Sequence, residues 1–152
     1  MQIISISLIT LLMIGCFTLT PAVIGDMNPI MPTPDGNWTV DKYRDGNRIL
    51  VSPISETEMN ADFSEMNLTG STGCNNYSAQ YTSGSSALII TQLVRYHSLC
   101  HKDLILQEDA YIQDLKEAAL IQRNDTSLLL FDGDEDLLVS YIMSDDNGID
   151  RR

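Results

Sequence analysis

Along most of the chain, apolar and polar residues alternate with the two-residue repeat of a half-buried strand. In one place the repeat becomes helical. Thr57-Glu58-Met59-Asn60-Ala61-Asp62-Phe63 is the clearest alternation, with Thr57, Met59, Ala61 and Phe63 on one face. Shorter runs rich in β-branched, aromatic or aliphatic residues predict further strands at 37–40, 48–51, 66–68, 78–82, 87–91, 120–123, 127–131 and 137–143. Between these runs stand turn residues: Asp45-Gly46-Asn47, Ser64-Glu65, Ser83-Gly84-Ser85-Ser86, Asn124-Asp125 and Asp132-Gly133. Asp-Gly between two apolar runs predicts a type I′ hairpin turn, with Gly133 at positive φ. From Lys102 onward Leu104, Tyr111, Leu115 and Ala118 recur at helical spacing, and Glu108, Gln113, Asp114 and Lys116 fall between them. This predicts one amphipathic helix over 104–118 with Asp103 as its cap.

Many short strands at hairpin spacing around a single helix predict a mainly β (α+β) fold. The sheet is expected to be antiparallel and to curl around, or be capped by, the helix that stands before the last hairpins. The stretch Thr69-Gly70-Ser71-Thr72-Gly73-Cys74-Asn75-Asn76-Tyr77 interrupts the strand pattern. Gly and Asn reach left-handed backbone angles cheaply, so a tight turn beside a thiol is expected there.

Length and composition set the frame. The 152 residues suit one domain with a leader, and 43% hydrophobic residues support a packed core. Nine Lys and Arg face 21 Asp and Glu, a formal charge of -12. Such a surface repels phosphate backbones, so nucleic acid is not expected as a partner. Residues 3–17 carry no charge and are short for a membrane span, which reads as the apolar core of an export signal without the usual positive residues before it. Met13-Ile14-Gly15-Cys16 is similar to a degenerate lipoprotein box that would acylate Cys16 and tie the chain to a membrane. Cleavage near Gly25 and an uncleaved anchor are the alternatives, and each places the domain outside the cytoplasm. The expected organisation is a signal or anchor at 1–25, a Pro-rich tether at 26–36, one domain at 37–143 and a flexible polar tail at 144–152.

Gly73-Cys74-Asn75-Asn76-Tyr77 followed by Tyr81 resembles the signature of the META domain, the family of the heat-shock protein HslJ. The resemblance covers about 38–142 and marks Trp38, Phe63, Gly70, Gly73, Cys74, Asn75, Tyr77, Tyr81, Leu88, Cys100, Glu108, Tyr111 and Leu115. It implies an open, lipocalin-like barrel in an envelope protein linked to stress and antibiotic tolerance, with no established active site. Tyr96, His97 and Ser98 stand where that family usually has a Thr and a Met before the second cysteine. An even pair of cysteines after an export leader favours a disulfide between Cys74 and Cys100, and the resemblance marks both.

Two groups suggest other chemistry. Cys74, His97, Cys100 and His101 are ligand types for tetrahedral zinc, at a spacing that matches no strong zinc signature. Asp132, Asp134 and Asp136 look like the start of a calcium loop, but Leu137 stands in place of its glycine and Met143 in place of its glutamate. A solvated hairpin tip is the simpler reading. Asn37, Asn67, Asn76 and Asn124 each begin a glycosylation sequon. The functional expectation is therefore a non-catalytic envelope domain, tethered by its N-terminus, that uses no cofactor and supports cell-surface integrity or binds a partner there. The alternatives are a carrier of a small apolar ligand and, last, an enzyme or zinc site built on Cys74, His97, Cys100 and His101.

Overall fold

The computed structural model describes residues 33–144, so the leader with Cys16, most of the tether and nearly all of the tail lie outside the described residues. Its strands are β1 (Gly36–Arg44), β2 (Leu50–Val51), β3 (Met59–Ser64), β4 (Asn67–Thr72), β5 (Asn76–Gly84), β6 (Ala87–Arg95), β7 (Leu120–Arg123), β8 (Ser127–Phe131) and β9 (Leu137–Met143). The helix, α1, is Lys102–Glu117. Every pairing is antiparallel, and β3 to β9 follow one another across the sheet. β1 pairs with β3 through Gly36–Thr39 and with β9 through Trp38–Tyr43, which closes the sheet into a ring with β2 as a short flap.

The ring is unevenly closed. β1 and β9 share a long ladder, whereas β6 meets β7 only at Ala87 and Leu120. Two backbone bonds reinforce that point, Leu88 N–H to Ala119 O at 2.9 Å and Ile121 N–H to Ser86 O at 2.7 Å. The cause is the crossover: the chain leaves β6, runs through α1 and returns to the sheet as a strand of four residues. α1 lies across the ring against β1, β4, β6 and β9.

The alternation read from the sequence fills the enclosed side. Met59, Ala61 and Phe63 of β3 are buried, as are Trp38, Leu68, Tyr77, Leu88, Leu128, Leu130, Leu138 and Tyr141. Burying one such large side chain contributes roughly 1.5–3 kcal/mol. The aromatic rings meet edge to face, Phe63 on Tyr81 at 5.1 Å and Tyr77 on Tyr111 at 5.8 Å. Trp38 is held at its N–H and on its face: Nε1 donates to Pro34 O at 2.7 Å, and the Arg123 guanidinium lies over the ring, 5.2 Å from its centroid. Arg123 also donates to the carbonyls of Thr33 and Asp35, so the last residues of the expected tether are bonded to the domain.

Four local expectations are corrected. The turn between β3 and β4 is Glu65-Met66, one residue later than expected, and both residues have positive φ, 49° and 64°. The signature turn shrinks to Gly73-Cys74-Asn75, because β4 runs through Gly70 to Thr72. α1 begins at Lys102, and its cap is His101, whose Nδ1 accepts from Asp103 N–H at 3.5 Å. The hairpin at Asp132-Gly133 is not type I′: its left-handed residue is Glu135, at φ 67°. There the Asp132 carboxylate accepts from Asp134 N–H at 3.0 Å and Asp136 N–H at 2.9 Å, and this side chain decides the loop's shape in place of glycine.

Candidate functional site

Of the signature residues, Gly70, Gly73, Cys74, Asn75 and Tyr77 converge on the end of the ring that α1 covers, whereas Tyr81 packs on Phe63 and donates to Asp35 Oδ1 at 2.7 Å. Gly70 stands opposite Tyr77 in the β4–β5 ladder, and the Tyr77 hydroxyl donates to Asn60 O at 3.0 Å. A Cβ on Gly70 would come within 2.1 Å of that carbonyl and 2.7 Å of the Tyr77 hydroxyl, so no other residue fits. Asn60 O can only accept, which sets the direction of a buried hydroxyl chain. Tyr77 donates to Asn60, Tyr111 to Tyr77 at 3.0 Å, and Tyr141 to Tyr111 at 3.0 Å. Burial pushes all three phenols well above their ordinary range, so they are neutral structural groups.

One helical carboxylate organises the signature turn. Glu108 is buried and accepts from Thr72 Oγ1 at 2.7 Å, Asn75 Nδ2 at 2.9 Å and Arg95 Nη1 at 3.0 Å. Thr72 Oγ1 in turn accepts from Asn75 N–H at 3.0 Å, which closes the turn on itself. Asn75 Oδ1 accepts from Ser98 N–H at 2.8 Å and so reaches the segment before the helix. Gln107, next along the helix, donates to Thr72 O at 3.0 Å and accepts from Ile54 N–H at 2.7 Å. Gly73, at φ 82°, leaves room for the Gln107 amide, which a Cβ would approach to 2.7 Å. Cys74 and Cys100 are joined by a disulfide with Cα atoms 6.0 Å apart.

A second polar cluster lies further along α1. Arg44, at the end of β1, is buried against three carboxylates: Asp114 and Glu117 of the helix, and Asp132 of the last hairpin. Its own N–H donates to Asp114 Oδ2 at 2.8 Å. Burial pushes the Asp114 carboxyl up to about 7, against the pull of Arg44. Asp132 moves the other way: the backbone donors of Asp136 and Asp134, with Arg44, hold it below the usual carboxylate range. The cluster borders a hollow of about 520 Å³ that Arg48, Leu106 and Gln113 also line.

The zinc set does not come together. The two sulfurs are bonded to each other, His97 borders a different hollow beside β6, and His101 caps α1 and lies 3.4 Å from Asp103. The Asp132 loop uses its first carboxylate on backbone N–H groups and Arg44. Among the described residues no group of three His, Cys, Asp or Glu side chains is placed to hold a metal. Among the described residues no helix is long and apolar enough to cross a membrane. The four sequon asparagines, Asn37, Asn67, Asn76 and Asn124, are all exposed.

Sequence reasoning missed Arg44, Gln107 and the burial of Glu108 and Asp114, which were expected on the polar side of the helix. The signal was present. Gln107, Tyr111, Asp114 and Ala118 follow the same i, i+4, i+7, i+11 stripe, and Glu108, Tyr111 and Leu115 follow its neighbour.

The family model described as META domain matches residues 31–143. No curated protein matches. Among solved structures, an NMR structure of a protein from Burkholderia xenovorans is similar with a TM-score of 0.59 at 18% identity, over 73% of this chain and 83% of that one. A crystal structure of a DUF4847 family protein from Bacteroides vulgatus ATCC 8482 is similar with a TM-score of 0.53 at 14% identity, over 72% of this chain and 93% of that one. At these identities the likeness is one of fold.

Proposed function

The chain belongs to the META domain family, and from that premise we propose an exported, membrane-tethered envelope protein that works by binding a partner and performs no catalysis. The observation that carries this reading is the state of the signature site. Its polar side chains, Thr72, Asn75, Gln107, Glu108 and Arg95, are all hydrogen-bonded to one another or to backbone, and its two cysteines are bonded together. A site for nucleophilic or acid–base chemistry needs a thiolate, hydroxyl or carboxyl turned toward a substrate. Here those groups hold the turn to the helix. The disulfide favours an oxidising compartment, which agrees with the apolar leader and with acylation at Cys16. Support of envelope integrity under stress or antibiotic challenge follows as the physiological role.

The carrier reading would require free volume on the enclosed side of the ring. Trp38, Phe63, Tyr77, Tyr111 and Tyr141 are packed there, each at most 2% exposed. Intact mass and membrane fractionation of the native protein test the proposal. A lipid-modified mature chain in the membrane fraction, released by Cys16→Ser, is expected. A cytoplasmic chain of unprocessed mass with reduced cysteines would overturn it.

A further inference from the structure

We propose that the free edge of β6 is a docking site for an extended, acidic segment of a partner protein, which adds to the sheet as a strand between β6 and α1. The inference rests on the reading of this chain as a binding domain and says which surface binds. Its first basis is the uneven closure of the ring. β6 pairs with β5 along its length, but on its other side it meets β7 only at Ala87. From Ile89 to Arg95 no strand of the described residues lies on that edge.

Backbone parity shows which groups the edge offers. Leu88 N–H points away from β5, toward Ala119 O, so Ile90 directs its N–H and C=O to the same side. Gln92, at φ 53°, bulges the strand opposite Ala79 and shifts the alternation by one. Tyr96 N–H then returns to Asn76 O on β5, which leaves Leu93 and Arg95 facing outward. An extended peptide pairs with such a row and little else does, because its own N–H and C=O groups repeat at the same spacing.

The second basis is the groove beside the edge. A hollow of about 490 Å³ lies between β6 and α1, with Leu93, Val94, Arg95 and His97 on one wall and Ile112 and Lys116 on the other. Leu93 gives it an apolar floor against the core. Val94, in the β6 wall, is 58% exposed, and Tyr96, two residues on in the chain, is 66% exposed. The chain carries 21 acidic residues against nine Lys and Arg, yet this groove is lined by Arg95, Lys116 and His97 with one carboxylate, Asp109, already paired to Arg95. Lys116 enters no ion pair among the described residues. A segment with alternating apolar residues and a carboxylate set to meet Lys116 is complementary in hydrogen bonding, shape and charge. A second copy of this chain would bring another -12 charges to the contact, which disfavours self-pairing.

The test is selection of linear decapeptides from a displayed random library on the full chain, with backbone amide NMR and hydrogen exchange of the complexes. Selected peptides should alternate apolar residues with Asp or Glu, and on binding should protect the amides of Ile90, Leu93 and Arg95. Ile90→Pro removes an outward N–H without touching the β5 ladder and should abolish binding, while Ile90→Val keeps it. Lys116→Glu should weaken acidic peptides several-fold and leave the melting temperature unchanged. The proposal is overturned by failure to select any peptide, by binding indifferent to Ile90→Pro and Lys116→Glu, or by protection elsewhere. Concentration-dependent dimerisation through the same amides would also overturn it in favour of a second copy. None of these outcomes touches export or tethering, which the fractionation reports separately.

Discussion

Glu108 and Asp114 are buried carboxylates less than two turns apart on one helix, and each faces an arginine from the sheet. Their surroundings differ in the number of donors. Glu108 accepts from three separate side chains, a hydroxyl, an amide and a guanidinium. Among the described residues Asp114 accepts only from Arg44, whose guanidinium it shares with Glu117 and Asp132. The difference teaches that burial alone does not decide how a carboxylate serves the fold. With a full set of donors it ties three segments together. With one contested cation, its charge is a cost that rises with pH.

The largest effect should come from the first of the pair. Glu108→Ala removes the acceptor shared by Thr72, Asn75 and Arg95 and should lower stability by roughly 3 kcal/mol or more. Glu108→Gln keeps the shape, loses the charge and should fall between that variant and the native chain. Chemical denaturation of the three proteins measures the order. If Glu108→Ala cost no more than a surface substitution, Glu108 would not be what ties the signature turn and β6 to the helix.

The disulfide anchors the same turn from its other side. Cys74 and Cys100 are 26 apart in sequence, and the chain-entropy account gives about 3.5 kcal/mol for a loop of that length. The double variant Cys74→Ser with Cys100→Ser should melt at a lower temperature, and reduction of the native protein should reproduce the shift. A variant that melts with the native chain would mean that the Glu108 network suffices alone.

How much of this was legible in the sequence follows from range. Period-two and helical patterns are local, and they gave the strands and the helix because each buries one face. The β3 strand with Met59, Ala61 and Phe63 inward is the clearest case. Gly70 and Gly73 could be singled out, but their reasons, the Asn60 carbonyl and the Gln107 amide, come from other elements. Arg44 stayed hidden because its three carboxylate partners come from α1 and the last hairpin, which only the closed ring brings to β1. The free edge of β6 was equally illegible, since it depends on where the chain re-enters the sheet after α1.

The second carboxylate should show itself in the pH profile. Burial is the main cause that raises Asp114 to about 7, Glu117 adds to it, and Arg44 opposes it. In the unfolded chain the group has its ordinary value near 3.8. Between those values the folded state holds the proton more tightly. Stability from this group is therefore fully present below pH 4 and is lost as pH rises toward 7, with a slope of at most about 1.4 kcal/mol per pH unit. Asp114→Asn cannot titrate but keeps an oxygen for Arg44 N–H. It should remove that slope and leave the protein as stable as, or more stable than, the native chain at pH 8. A native profile that rises from pH 4 to 7 in step with the variant would show that Asp114 is ionised throughout.

The smallest effect concerns the loop that supplies Asp132 to the Arg44 cluster. Glu135 is at φ 67°, where an L residue is strained and glycine is not. Gly133 is not at positive φ, and a Cβ there would meet nothing within 4 Å. The ordinary expectation for an Asp-Gly turn is thus inverted. Glu135→Gly should raise the unfolding free energy by up to about 1 kcal/mol, less the added freedom of the unfolded chain, and Gly133→Ala should raise it by a few tenths through the same unfolded-state term. Asp132→Ala is the control that links the loop to the comparison above. It removes the acceptor of two backbone N–H groups and one partner of Arg44, so it should cost more than either substitution gains. Calorimetry of the three variants resolves the signs, and a destabilised Gly133→Ala beside a neutral Glu135→Gly would restore the type I′ turn that the sequence alone suggested.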